Sequence, residues 1–108
     1  MSLPSDISVS ELNRMQEANA EFTLVDVRDD DELALASLDG ALHLPMDEVT
    51  RRLDELPKDG DIVVMCHSGG RSSRVAAYLR HNGYASVANL AGGIDAWSRE
   101  IDASVPRY

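Results

Sequence analysis

Seven consecutive residues combine a nucleophile with groups suited to holding an anion: Cys66-His67-Ser68-Gly69-Gly70-Arg71-Ser72. The stretch follows an apolar run, Ile62 to Cys66, and precedes a helix-period segment bearing Val75, Ala76 and Leu79. That order puts Cys66 at the carboxyl end of a sheet, where open α/β folds place their ligands. Two glycines let the backbone bend until successive N–H groups converge on one point. The helix N-terminus contributes about half a positive charge there, and Arg71 a full one with a planar donor fork. Such a cradle binds an anion and equally stabilises a thiolate. A free cysteine of pKa about 8.5 is only about 3% ionised at pH 7, whereas two units of depression make it about three-quarters ionised. The plainer reading is a buried strand-end thiol with glycines that merely turn the chain. Gly-Gly-Arg-Ser and a helix start directly downstream favour the reactive one. Within the cradle, Ser68, Gly69, Gly70 and Ser72 are candidate substrate-binding residues. His67 either tunes the thiolate, contacts an acceptor, or simply lines the loop.

The elements that must position this loop follow from periodicity. Ser8-x-x-Glu11 reads as a capping box before a helix with Leu12, Met15 and Ala18 on one face. Phe22 to Val27 predicts a strand, and Asp29-x-x-Glu32 the start of a second, short helix. Ala41 to Leu44 predicts a brief strand ended by Pro45, and Asp47 the cap of a helix carrying Val49, Leu53 and Leu56. Ile62 to Cys66 is apolar on both faces, as a central parallel strand requires. Ser86 to Leu90 predicts the last strand, and Gly92-Gly93 opens a helix through Trp97. Strands alternating with helices indicate an α/β domain with a mostly parallel sheet. The expected core runs over about residues 6–102, and residues 103–108 read as a loose tail.

Composition narrows the function. One hundred and eight residues, 44% hydrophobic and 27% charged, suit one soluble globular domain. No run approaches the roughly 18 apolar residues needed to cross a bilayer, and residues 1–10 do not read as a secretory leader. A net charge of −9 repels a phosphate backbone and argues against nucleic acid as the main partner. A single cysteine excludes an internal disulfide, and Cys66 with His67 lacks further ligands at metal-binding spacing. No cofactor or metal is expected. A reducing, cytoplasmic setting is. His43 and His81 read as structural, and Trp97 as a packing anchor.

The sequence as a whole resembles the rhodanese-homology domains, the thiosulfate sulfurtransferase-like proteins. Leu24-Val25-Asp26-Val27-Arg28 with Glu32 looks like the family's D-x-R-x-x-x-E element, and Gly40-Ala41 with Leu44-Pro45 like G-A-x-x-x-P. Ile62 to Ser72 looks like the strand and loop C-x-S-G-x-R-S. Gly83-Tyr84, Val87, Leu90, Gly92-Gly93 and Ala96-Trp97 look like the closing G-[FY]…V…L-x-G-G-x-x-A-W. One element departs: where the family commonly has G-H-I, this chain has Ser37-Leu38-Asp39, with Ala36 and Ser37 at the Gly and His positions. That departure bears on the rim of the site and on partner choice.

The resemblance implies a rhodanese-like α/β fold, a mostly parallel central sheet with helices on both faces, and a sulfurtransferase or persulfide carrier. Cys66 would take a sulfane sulfur from a small anionic donor, thiosulfate or a persulfide, and pass it to a thiol, cyanide or protein acceptor. Arg71 and the loop N–H groups would stabilise the donor and the persulfide. Four residues separate Cys66 from Arg71. Phosphatases and arsenate reductases of similar architecture use a cradle one residue longer, with room for a four-oxygen centre, so the shorter loop favours sulfur. A phosphatase or arsenate reductase, and a non-catalytic regulatory binding module, are the alternatives. Asp26 and Arg28 fall near the loop as supporting residues. Glu32 has two readings, an ion pair with Arg71 or Arg28 that holds the loop, or merely the completion of a capping box. Oligomeric state is not legible.

Overall fold

The computed structural model describes residues 2–108. Five parallel strands form one sheet in the order β1-β5-β4-β2-β3, with β1 Asp6–Ile7, β2 Thr23–Asp26, β3 Leu42–His43, β4 Ile62–Met65 and β5 Val87–Leu90. Four α-helices connect or follow them: α1 Val9–Glu17, α2 Asp30–Leu35, α3 Gly70–His81 and α4 Gly93–Glu100. Strand β4 lies at the centre, and its residues are all buried, as its unbroken apolar run predicts.

Side chains alternate across a strand, and β4 divides the interior accordingly. Val63 and Met65 join Leu12, Ile94 and Trp97 beneath α1 and α4, while Ile62, Val64 and Cys66 join Val75, Ala76 and Leu79 of α3. Cys66 is thereby seated in the α3-side core by the same period that fills the sheet. The Ser8–Glu11 capping box is formed, with the Glu11 N–H donating to Ser8 Oγ and the Ser8 N–H to Glu11 Oε1. His43 is structural in placement, its Nε2 lying 2.7 Å from the Arg28 carbonyl oxygen.

Three expectations are corrected. Strand β1 was not expected; at two residues it carries no pattern of its own and exists through its pairing with Asn89 and Leu90. The helix expected after Asp47 is two 3₁₀ segments, Met46–Arg51 and Leu53–Glu55, interrupted at Arg52. Arg52 ties the two together by donating to Glu48 and Glu55, and the tighter winding still buries Val49 and Leu56. Residues 103–108 are not a loose tail. Val105 packs on the α1–α4 side of the core, and Arg107 donates to Asp95 at 3.0 Å, which lays the segment back across the molecule. No helix among the described residues is long and apolar enough to cross a membrane.

Candidate active site

The loop between β4 and α3 wraps the Cys66 sulfur. Gly69 sits at φ +112°, a left-handed conformation that side chains disfavour, and its N–H donates to Cys66 Sγ at 3.1 Å. In the first turn of α3, Ser72 approaches the same sulfur twice, through its N–H at 3.4 Å and its hydroxyl at 3.2 Å. The thiol is only 1% exposed. Burial pushes its pKa up, but the Ser72 hydroxyl and the N–H groups of Ser72, Gly69 and Ser68 outweigh it, and the net shift is downward. The cradle read from the sequence is therefore assembled, with hydrogen-bond donors rather than a side-chain base at the sulfur.

Arg71 lies beside the cradle, close enough for its charge to act on Cys66, and its fork is engaged by Glu32. Its Nη1 and Nη2 donate to Glu32 Oε1 and Oε2 at 2.6 and 2.9 Å. The Arg71 guanidinium, followed by the Tyr108 hydroxyl and the Asp29 N–H, holds Glu32 down to about 2 against the opposing effect of burial. Both sequence readings of Glu32 thus apply at once, since the Asp29 N–H also donates to Oε1 at the start of α2. Asp26 and Arg28 form a separate pair, 2% and 0% exposed. Arg28 Nη2 and Nε donate to Asp26, Nη2 also to the Ala36 carbonyl, and Nη1 to the Glu32 carbonyl and the Tyr108 hydroxyl oxygen. Burial of Arg28 works against its charge, but the hydrogen bonds it donates to Asp26 and Tyr108 prevail and keep it protonated. The carbonyl of Ala36, in the element that departs from the family pattern, is thus part of the Arg28 shell.

Two residues, Asn89 and Tyr108, and the packing role of a third, Gly93, escaped the sequence reading. Asn89, in β5, has Oδ1 2.5 Å from the Ser72 hydroxyl, while its Nδ2 donates to Asp6 Oδ1 at 3.0 Å. Gly93 lets α4 press against the loop: its Ile94 and Asp95 N–H groups donate to the Cys66 and His67 carbonyls, both at 3.0 Å, where a side chain at residue 93 would collide with those carbonyls. Tyr108 stacks on the His67 ring, centroids 4.1 Å apart and planes within 13°. A buried Asn in a strand was the one local signal available for Asn89; nothing local marked Tyr108. His67 Nε2 is buried without a hydrogen-bond partner. Among the described residues, no three His, Cys, Asp or Glu side chains converge as a metal site would need.

Comparison with known proteins agrees with the arrangement. Residues 8–100 match the family described as Rhodanese-like domain. A protein of Allochromatium vinosum named sulfurtransferase is 41% identical over 95 residues, spanning 88% of this chain and 89% of that one. A Bacillus subtilis protein named putative sulfurtransferase YtwF is 38% identical over 95 residues, 88% of this chain and 91% of its own. The crystal structure of a rhodanese-like domain protein from Staphylococcus aureus superposes with a TM-score of 0.84 at 30% identity, covering 97% of this chain and 99% of that chain.

Proposed function

This chain belongs to the rhodanese-like domain family, and from that premise we propose that it transfers sulfane sulfur through a persulfide on Cys66. A rhodanese-type sulfur-transfer role accords with relatives named sulfurtransferase at 38–41% identity. The choice of thiosulfate as donor, and of cyanide or a thiol as acceptor, is the finer part of the proposal. The observation that carries it is the Cys66 sulfur facing the Gly69 N–H and both donors of Ser72.

The Cys66 thiolate attacks the outer sulfur of thiosulfate. A Cys66 S–S bond forms, the S–S bond of thiosulfate breaks, and sulfite leaves with the electron pair. Cyanide or a thiolate then attacks the terminal sulfur, and the bonding pair returns to Cys66 as thiocyanate or an acceptor persulfide departs. One negative charge stays on the Cys66 side chain before and after each step, so donors fixed in advance serve both without reorganising. Arg71 supplies positive charge beside the cradle while its fork remains on Glu32. Cys66 is the only cysteine, so no second thiol of this chain can take the sulfur and the acceptor comes from outside. A lone, unpaired thiol suits a reducing compartment, and we assign the protein to the cytoplasm.

Incubation with thiosulfate should add the mass of one sulfur atom to Cys66, and Cys66→Ala should abolish both the adduct and cyanide-dependent thiocyanate formation. An unmodified Cys66 under thiosulfate and under persulfide donors alike would overturn the proposal. Hydrolysis of an aryl phosphate without any adduct would support the phosphatase alternative instead.

A further inference from the structure

We propose that Tyr108 is a positioning residue of this site, holding Glu32, and through it Arg71, in the orientation that receives an anionic reactant at Cys66. The hydrogen count around its hydroxyl leaves one arrangement. Arg28 Nη1, 2.8 Å away, can only donate, so the Tyr108 oxygen accepts there. Its single hydrogen then goes to Glu32 Oε2, also at 2.8 Å. Glu32 in consequence receives four donors: the two terminal nitrogens of Arg71, the Asp29 N–H and the Tyr108 hydroxyl. The hydroxyl joins the side chains of the exposed-side pair, Arg71–Glu32, and the fully buried pair, Arg28–Asp26, which otherwise meet only where Arg28 Nη1 donates to the Glu32 carbonyl.

The ring adds a second hold on the loop. It lies flat on His67, the residue after the proposed nucleophile, whose buried Nε2 has no hydrogen-bond partner. The stack therefore does what a hydrogen bond to that nitrogen would otherwise do, fixing the plane of the ring. Tyr108 is itself placed by its neighbour Arg107 on Asp95, in the first turn of the helix whose N-terminal N–H groups already grip the Cys66 and His67 carbonyls. Residue 108 and the loop are thus anchored to the same helix end, which keeps the distance between them short and constant. A charge held in one place favours an entering anion more than the same charge on a mobile side chain.

The identity of the anion rests on the sulfur-transfer reading; the positioning of Arg71 is tested without it. Because Cys66 is the only thiol, its alkylation by iodoacetate and by iodoacetamide can be followed without ambiguity, and the ratio of the two rates reports local positive charge rather than folding. Tyr108→Phe keeps the ring on His67 and removes the bridging hydroxyl. It should lower the iodoacetate-to-iodoacetamide ratio by about two- to tenfold, the worth of one net hydrogen bond, with the neutral reagent little affected. In a Glu32→Ala background the same substitution should have no further effect, since its route to Arg71 is gone. An unchanged or raised ratio, or an equal effect in both backgrounds, overturns the inference. Failure of wild-type protein to form a persulfide would overturn the sulfur-transfer proposal and leave this measurement standing.

Discussion

Ser72 has one hydroxyl hydrogen and two neighbours that want it, the Cys66 sulfur at 3.2 Å and Asn89 Oδ1 at 2.5 Å. The Asn89 amide is oriented by its own Nδ2 donating to Asp6, so the oxygen is the atom that faces Ser72. While Cys66 is a thiol, Ser72 can give its hydrogen to Asn89 and accept from the S–H. Once the thiolate forms, the charge competes for that hydrogen, and a charge-assisted bond is the stronger. The hydroxyl thus stabilises both protonation states, and the ionised one more. Ser72→Ala is nearly isosteric in this fully buried position and removes one donor from the thiolate while leaving the N–H groups. Removing a donor to the charged form raises the thiol pKa, so at neutral pH alkylation of Cys66 should slow by about two- to tenfold. Above the pKa of both proteins the rates should converge. A uniform offset across the pH range would show that Ser72 acts on access rather than on ionisation.

At the scale of elements, the Arg71–Glu32 bridge joins the α3 end of the loop to the first turn of α2. Glu32 is held at about 2, below the ordinary carboxylate value of about 4.3. A depressed folded-state pKa contributes stability that is complete above the unfolded value and is lost as pH falls through the folded one. Wild-type stability should therefore drop between about pH 5 and pH 2, and Glu32→Gln should flatten that drop, at a cost of about 1 kcal/mol at neutral pH after discounting for solvent screening. Denaturant titrations at stepped pH values check it, and identical slopes for both proteins would remove Glu32 as the linked group. The same elements mark what a sequence can reveal. The Cys66–Ser72 cradle and the Ser8–Glu11 box were legible because each is made by residues within a few positions of one another, six apart at most. Strand β1 was not, since two residues acquire strand geometry only from β5. The 3₁₀ segments keep helix-like spacing at Val49, Leu53 and Leu56, so periodicity alone could not separate them from an α-helix. Asn89 and Tyr108 reach Ser72 and Glu32 across folded space, a relation that no local pattern encodes.

Across the whole molecule the net charge of −9 opposes the approach of an anionic donor. The molecule measures 36 × 30 × 20 Å, so at physiological salt, where screening acts over about 8 Å, charges on its far side scarcely reach Cys66. What remains is local. Exposed Asp29, Asp30 and Asp31 begin α2 beside Glu32, while the nearby charges of Arg28 and Arg71 are already matched by Asp26 and Glu32. The attraction for an anion in the cradle thus comes from the fixed N–H and hydroxyl donors and from Arg71 held beside them, which act at short range and are little screened. The repulsion comes from solvent-exposed carboxylates, which salt does screen. The two respond oppositely to ionic strength, and that separates them. The rate of Cys66 persulfide formation from thiosulfate should rise by about twofold or more between low and physiological ionic strength, with alkylation by neutral iodoacetamide unchanged. A fall in the thiosulfate rate would mean that long-range attraction, not the contact donors, captures the anion.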